Sequence, residues 1–308
     1  MVKWGVTFDW RNAEVRSVIA LCKKAEEACA NEFWVPEAWS LEAFSVCGAL
    51  LASTQKITVG TGVVNVFSRS AALIGMACAT LSQFGEGRFA LGLGVSAKRV
   101  VEDWHGIPFE RPYSRLLDYL RVIRQVAHGK ELSLQTKTPS RFRLFTQPVK
   151  ELRVYLAALG EKSLKIAAKF FDGAIVTFYP FSKLDKALKI LNGKELVAYY
   201  PVALTEDTSA IERIKRLITF YVCSMGDYYY SNLKTLGYEN EVERMRSLYH
   251  SGKKDEAVNQ AKELLDELSL IGSASQITEK VKSVDFTPVF ALDSPDTLQK
   301  IGAHLKDW

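Results

Sequence analysis

"KITVGTGVVNVFSRS" occupies residues 56–70, and "RFALGLGVSAK" follows at 88–98. Each is an apolar run that ends in spaced glycines and then turns polar. Glycine weakens a strand interior, so its repeated use there marks close approach by another backbone or by a ligand. Working outward from these two runs, strand and helix patterns alternate along the chain, which predicts a parallel sheet. Strands are expected at 3–8, 32–37, 56–64, 88–95, 152–159, 173–180, 195–204 and 287–292. Helical spacing fills the intervals, for example Leu116, Leu120, Ile123 and Ala127 within 113–128.

Eight strands interleaved with helices predict an α/β fold, a (β/α)8 TIM barrel formed by a single domain over 1–308. The strands read as continuous apolar runs, as they must when helices cover the sheet and side chains fill its interior. Two stretches interrupt the alternation. Residues 129–151 read as an irregular, hairpin-like insertion before the fifth strand. Residues 208–284 read as a helical insertion before the eighth, broken at Gly226, Gly237 and Gly252.

Composition narrows the function classes. The net charge of +5 is spread along the chain, which argues against a nucleic-acid surface and leaves room for an anionic small ligand. Five cysteines show no paired spacing, and the longest apolar stretch, "AALIGMACATL", is too short to span a bilayer. The start, "MVKWGVTFDW", has no signal-peptide core, so a cytoplasmic protein without a membrane partner is expected.

In a barrel the ligand site lies at the C-terminal strand ends. "GLGVSA" matches a dinucleotide fingerprint through Gly92, Gly94 and Ala97, but no helix opens directly after it, so that reading lacks its context. "YLAALGEKSLKIAAKFFDG" (155–173) is a better anion site, because Gly160 opens a helix whose first turn carries Lys162 and Ser163. No metal-ligand spacing or nucleophile motif occurs, and of four histidines only His105 falls in a loop at a strand end. A site poor in acid–base groups suits a cofactor that brings its own chemistry.

Several stretches carry a family likeness: "FWVPEAW" (33–39), the run from "VGTGVVNVFSRS" to "GEGRFALGLGVS" (59–96), "VVEDWHGIPFERP" (100–112), "RVYLAALGEKSLKIAAKFFDGAIVTFYP" (153–180) and "ITFYVCSMGDYYYSNLKTLGY" (218–238). The sequence resembles the bacterial-luciferase-like superfamily, and more closely its coenzyme F420-dependent oxidoreductases, relatives of methylenetetrahydromethanopterin reductase. The resemblance implies a non-prolyl cis peptide at Gly62–Val63, backing a deazaflavin ring near Asn65. It implies a phosphate site on Ala158, Leu159, Gly160, Glu161, Lys162 and Ser163. It places Glu37 and Trp39 beside the ring and Gly94, Val95 and Ser96 along the cofactor's side chain. Two departures stand out. Ala38 replaces a histidine of several F420 enzymes, and Ala97 and Lys98 stand where some carry a catalytic glutamate.

The expected reaction is hydride transfer between coenzyme F420 and a small organic substrate, with Glu37 or His105 as the candidate acid. Trp104, Tyr179 and Phe181 are expected to line the substrate space, and Arg69 and Lys98 are read as solvated charges. An FMN-dependent monooxygenase and a non-catalytic flavin binder remain as alternatives. A homodimer is expected, because most homo-oligomers are cyclic pairs.

Overall fold

The computed structural model of the chain describes residues 3–132, 142–282, 284–292 and 294–305. Its strands are β1 (Gly5–Thr7), β2 (Glu32–Val35), β3 (Thr58–Thr61), β4 (Val64–Asn65), β5 (Phe89–Gly94), β6 (Arg153–Ala157), β7 (Gly173–Thr177), β8 (Glu195–Leu204), β9 (Leu270–Gly272) and β10 (Thr287–Ala291). Eight of them form a closed parallel barrel in the order β10-β1-β2-β3-β5-β6-β7-β8, and pairing of β10 with β8 completes the ring. The two short strands are accessories. β4 continues β3 and pairs with the end of β5, and β9 pairs with the far end of β8.

The outer layer consists of α1 (Val15–Glu27), α2 (Ala43–Ser53), α3 (Ala71–Phe84), α4 (Pro112–Ala127), α5 (Glu161–Phe170) and α6 (Leu184–Leu191). After β8 come α7 (Thr208–Cys223), α8 (Asp227–Thr235), α9 (Glu239–His250), α10 (Lys254–Gln260) and α11 (Leu265–Leu268), then α12 (Ala274–Val281) and α13 (Pro295–Leu305). The three expected breaks fall between helices of this run. Gly226, Gly237 and Gly252 all have positive φ, a backbone state open to glycine. Helices α7 to α11 pack a second apolar core of their own around Ile218, Val242, Met245 and Leu264.

The barrel interior is filled by Trp34, Tyr155, Ile175, Val197, Tyr199 and Val289. The Trp34 ring meets Tyr155 edge-on at 5.4 Å. A Cβ on Gly60 would lie 2.5 Å from the Trp34 ring, and one on Gly62 would run into the Tyr199 hydroxyl. At Gly92 the backbone is knitted to Thr61. Its N–H donates to the Thr61 hydroxyl, which donates to the Gly92 carbonyl. The glycines at 60 and 92 thus make room for the barrel's own interior, a role that falls to neighbouring chain and not to a ligand. Below this layer Trp34 Nε1 donates to the buried Glu32 carboxylate, which pairs with Lys3 at 2.6 Å.

Two elements were not expected from the sequence. β9 is only three residues long, too short to show a period. Val100–Trp104 forms a π-helical turn in the loop after β5, where no regular element was expected before residue 113. The 129–151 excursion falls partly outside the described residues, which omit 133–141. Its described ends are tied by a Leu132–Phe142 backbone bond and by Val149 N–H to the Ala127 carbonyl.

Replacing Gly92 with Ala would drive a Cβ into the Thr61 carbonyl and Val63. Urea unfolding of G92A is expected to show a loss of about 3 kcal/mol, the range for overpacking against backbone.

Candidate active site

The C-terminal strand ends surround a cavity of about 290 Å³. Thr7 to Arg11 enter it after β1, and Pro36 to Trp39 after β2. Gly62, Val63 and Asn65 line it from β3 and β4, and Gly94 to Ala97 from β5. Ala157 to Gly160 and Ser163 follow β6, while Thr177 and Phe178 follow β7. Tyr199 and Ile175 lie deeper, at its floor. The cofactor-site residues expected at 37, 39, 62, 63, 65, 94–96, 158–160 and 163 therefore share one cavity. Glu161 and Lys162 lie outside its lining, with the Lys162 ammonium 5.4 Å from the centre of the Tyr113 ring.

The Gly62–Val63 peptide bond is cis. It falls between β3 and β4, where both residues face the cavity. The next residue facing it, Asn65, is held through its backbone. It lies in register with Gly94, and Val66 N–H donates to the Gly94 carbonyl.

One end of the cavity suits an anion. Gly160 is the N-cap of α5, and among the described residues no side chain caps the free N–H groups of the first turn. Ser163 donates its hydroxyl to the Gly160 carbonyl at 2.8 Å. A Cβ on Gly160 would meet nothing nearer than Asn232 Oδ1 at 4.0 Å, so the cradle is open. Uncapped N–H groups and the positive end of the helix dipole attract phosphate-like groups.

Another part of the lining is aromatic, formed by the loops after β1, β2 and β7 together with the helical run after β8. Trp10 packs edge-on against Trp39 at 4.6 Å, and its Nε1 donates to the Tyr221 hydroxyl at 3.0 Å. Tyr221 meets Phe178 and Tyr229, each at 4.8 Å. This chain of rings ties the loops after β1, β2 and β7 to α7 and α8. Leu217, Met225, Tyr228 and Tyr229 complete the wall. The sequence held one sign of it, the cluster "GDYYYSN" (226–232), but nothing in its spacing shows that this stretch folds over the barrel mouth.

Several expected positions move. Trp104 is 63% exposed on the π-helical turn and does not line the cavity. Tyr179 and Phe181 also face away. Phe178 has a left-handed φ of 52°, which breaks the strand alternation, so its own ring joins Tyr221 instead. Tyr179 is buried in the main core, and Phe181 packs on Tyr200 and Phe286. The expectation that these three line the substrate space is corrected accordingly.

Arg69 is not a solvated charge. It is largely buried and binds Glu37 through two nitrogens, at 2.7 and 2.6 Å, and also pairs with Glu42. Glu37 additionally accepts from Ala43 N–H at 3.0 Å. Both Glu37 oxygens are thus engaged, and the group joins the β2 loop to the start of α2. Lys98 is 70% exposed beside Glu102, as a solvated charge should be. His105 lies behind Asn65 and does not line the cavity. Its Nε2 is 3.3 Å from Asn65 Nδ2. Among the described residues no group of acidic, histidine or cysteine side chains could hold a metal ion.

The site thus combines, on a parallel barrel, an uncapped helix N-terminus and an aromatic wall at the strand ends. Comparison with known proteins identifies the family. A family model described as luciferase-like monooxygenase matches residues 3–287. The chain belongs to that family. It is 28% identical over 314 residues to a Mycobacterium tuberculosis protein, named provisionally as a coenzyme F420-dependent oxidoreductase, with 90% of this chain and 88% of that protein covered. Its fold matches the structure of the coenzyme F420-dependent tetrahydromethanopterin reductase of Methanopyrus kandleri, with a TM-score of 0.81, 18% identity and 98% and 97% of the chains covered. It also matches the oxygenating constituent of 3,6-diketocamphane monooxygenase from Pseudomonas putida in complex with FMN, with a TM-score of 0.65, 15% identity and 98% and 96% covered.

Arg69→Met would leave the Glu37 and Glu42 carboxylates without their cation. A loss of about 3 kcal/mol in urea unfolding is expected, against about 0.5 kcal/mol or less for Lys98→Met.

Proposed function

We propose that this protein is a coenzyme F420-dependent oxidoreductase that moves a hydride between the deazaflavin and a small organic substrate. The observation that carries the reading is one cavity lined both by an uncapped helix N-terminus at Gly160 and by an aromatic wall. Support comes from the relative, named provisionally as F420-dependent, that covers 90% of the chain. The residues present fit the cofactor on two grounds. The space where a Gly160 Cβ would project is open, and the Tyr199 hydroxyl against Gly62 at the cavity floor is buried with no hydrogen-bond partner among the described residues.

When bound, the cofactor supplies the hydride donor or acceptor carbon. The chain's own residues bind and orient. The backbone N–H groups of the α5 first turn, with Ser163 beside them, would hold the anionic end. Gly62 and Val63 would bear on the ring, and Gly94, Val95 and Ser96 on the connecting chain. Trp39 with Trp10 and Tyr221 closes the mouth and excludes water, which strengthens polar interactions inside. Glu37, with both oxygens engaged, holds the loop that carries Trp39 in place.

FMN is the second reading. It is favoured by the family's description as a monooxygenase and by the FMN-bound structure of the same fold. Titration of the protein with each compound separates the two, read by fluorescence quenching. F420 is expected to bind in the micromolar range and FMN at least tenfold more weakly; the reverse order would contradict the proposal. Bleaching of bound F420 by candidate donors then separates an enzyme from a pure binder. Gly160→Ala fills the cradle and is expected to weaken F420 about tenfold, while stability stays within about 0.5 kcal/mol of the parent.

A homodimer is proposed through α2 and α3. Neither helix carries a charged residue, and α3 exposes Leu73, Met76 and Phe84. An outward face this apolar marks a contact surface. Light scattering is expected to give a dimer for the parent and a monomer for the Leu73→Glu, Met76→Glu double variant; a monomeric parent would contradict it.

A further inference from the structure

Asn65 is 93% buried in effect, with only 7% of its surface exposed, yet it lines the cavity. Its amide orientation follows from its partners. Phe67 N–H donates to Asn65 Oδ1 at 2.8 Å, so Oδ1 is fixed as the acceptor and Nδ2 must face His105. An amide nitrogen only donates. His105 Nε2 must therefore be a bare acceptor, and the imidazole must be neutral with its proton on Nδ1. The second Nδ2 hydrogen has no partner among the described residues. The backbone around Asn65 is held by pairing with β5 and by Ser68 Oγ donating to the Asn65 carbonyl at 3.0 Å.

We infer that His105 is a positioning residue that, in its neutral form, locks the Asn65 amide so that its free N–H is offered to an acceptor atom of the ligand in the barrel mouth. The inference deepens the proposed function and rests on it for the identity of the ligand, though not for the lock itself. Protonation of His105 would set two donors against each other at Nε2 and Nδ2. Rotating the amide offers no escape, because Nδ2 would then face Phe67 N–H. The lock is thus released by acid, whichever way the amide turns.

The charged groups acting on His105 from neighbouring elements are Glu37 and Arg69, which are bound to each other. On its own turn, Glu102 and Asp103 face Lys98 and Arg99. Burial, opposed by Glu37 and aided by Arg69, holds the His105 pKa below the ordinary 6.5. The sign follows directly. Between the folded and unfolded pKa values the unfolded chain binds the extra proton, so the His105 contribution is full above pH 6.5. It is lost as pH falls through the lower, folded value.

The test uses F420 as probe, with FMN alongside, titrated into the parent and His105→Gln from pH 5 to pH 8. Glutamine can accept from Nδ2 but does not titrate. Parent affinity is expected to fall about tenfold for each pH unit below the His105 pKa, while the H105Q profile stays flat over that interval apart from the probe's own titration. Identical profiles for the two proteins would overturn the inference. Nitrogen NMR of labelled histidine in the ligand-free protein is expected to show His105 as the Nδ1–H tautomer at pH 7.5. An Nε2–H tautomer would overturn the inference even if neither probe binds. Loss of binding by both probes with the Nδ1–H tautomer intact would instead count against the proposed cofactor.

Discussion

Trp34 and Tyr199 lie inside the barrel, and they fit because Gly60 and Gly62 on the neighbouring strand have no side chains to meet them. This packing sets the height of the floor on which any ligand must rest. Beneath it, Trp34 is fixed to Glu32 and Tyr155 donates to Glu195, so the lower barrel is closed by apolar rings and polar ties. Above it, the strand ends are left to line a cavity. Interiors tolerate little change in volume, so the floor transmits its shape to the mouth.

From that floor upward the mouth divides its tasks among different elements. The α5 N-terminus offers positive backbone charge, and β3, β4 and β5 offer close-approaching main chain. The helical run after β8 supplies aromatic rings, joined to the β1 and β2 loops by the Trp10–Tyr221 bond. Buried ions are kept paired: Glu37, on the cavity lining, is neutralised by Arg69 behind it. Burial raises Tyr199 well above the ordinary tyrosine range, so its phenol stays neutral. The cavity lining nonetheless carries charge, from Asp9, Arg11, Glu37 and Arg213.

Much of this arrangement was legible in the sequence because it has a period. Continuous apolar strands and helical spacing marked the eight barrel strands, and the glycines of the 208–284 run marked its breaks. Strand-end position alone brought Glu37, Gly62, Gly94 and Gly160 into one site. What escaped has no period. Phe178 takes a left-handed φ and turns Tyr179 and Phe181 away from the mouth, an effect of one backbone angle. Arg69 found two carboxylates across the fold, although its neighbours in sequence are Ser68 and Ser70. The aromatic wall depends on how α7 and α8 return over strands far earlier in the chain. The glycines were read correctly as sites of close approach, but at Gly60, Gly62 and Gly92 the approaching group is the barrel's own interior.

The account depends most on where a planar, anionic cofactor comes to rest. A crystal structure of the protein with F420 tests this directly. The account predicts the ring against Gly62 and Val63, with the anionic end within hydrogen-bond distance of the backbone N–H groups that open α5. Density for F420 elsewhere on the barrel, or a phosphate held away from residues 160–163, would contradict it.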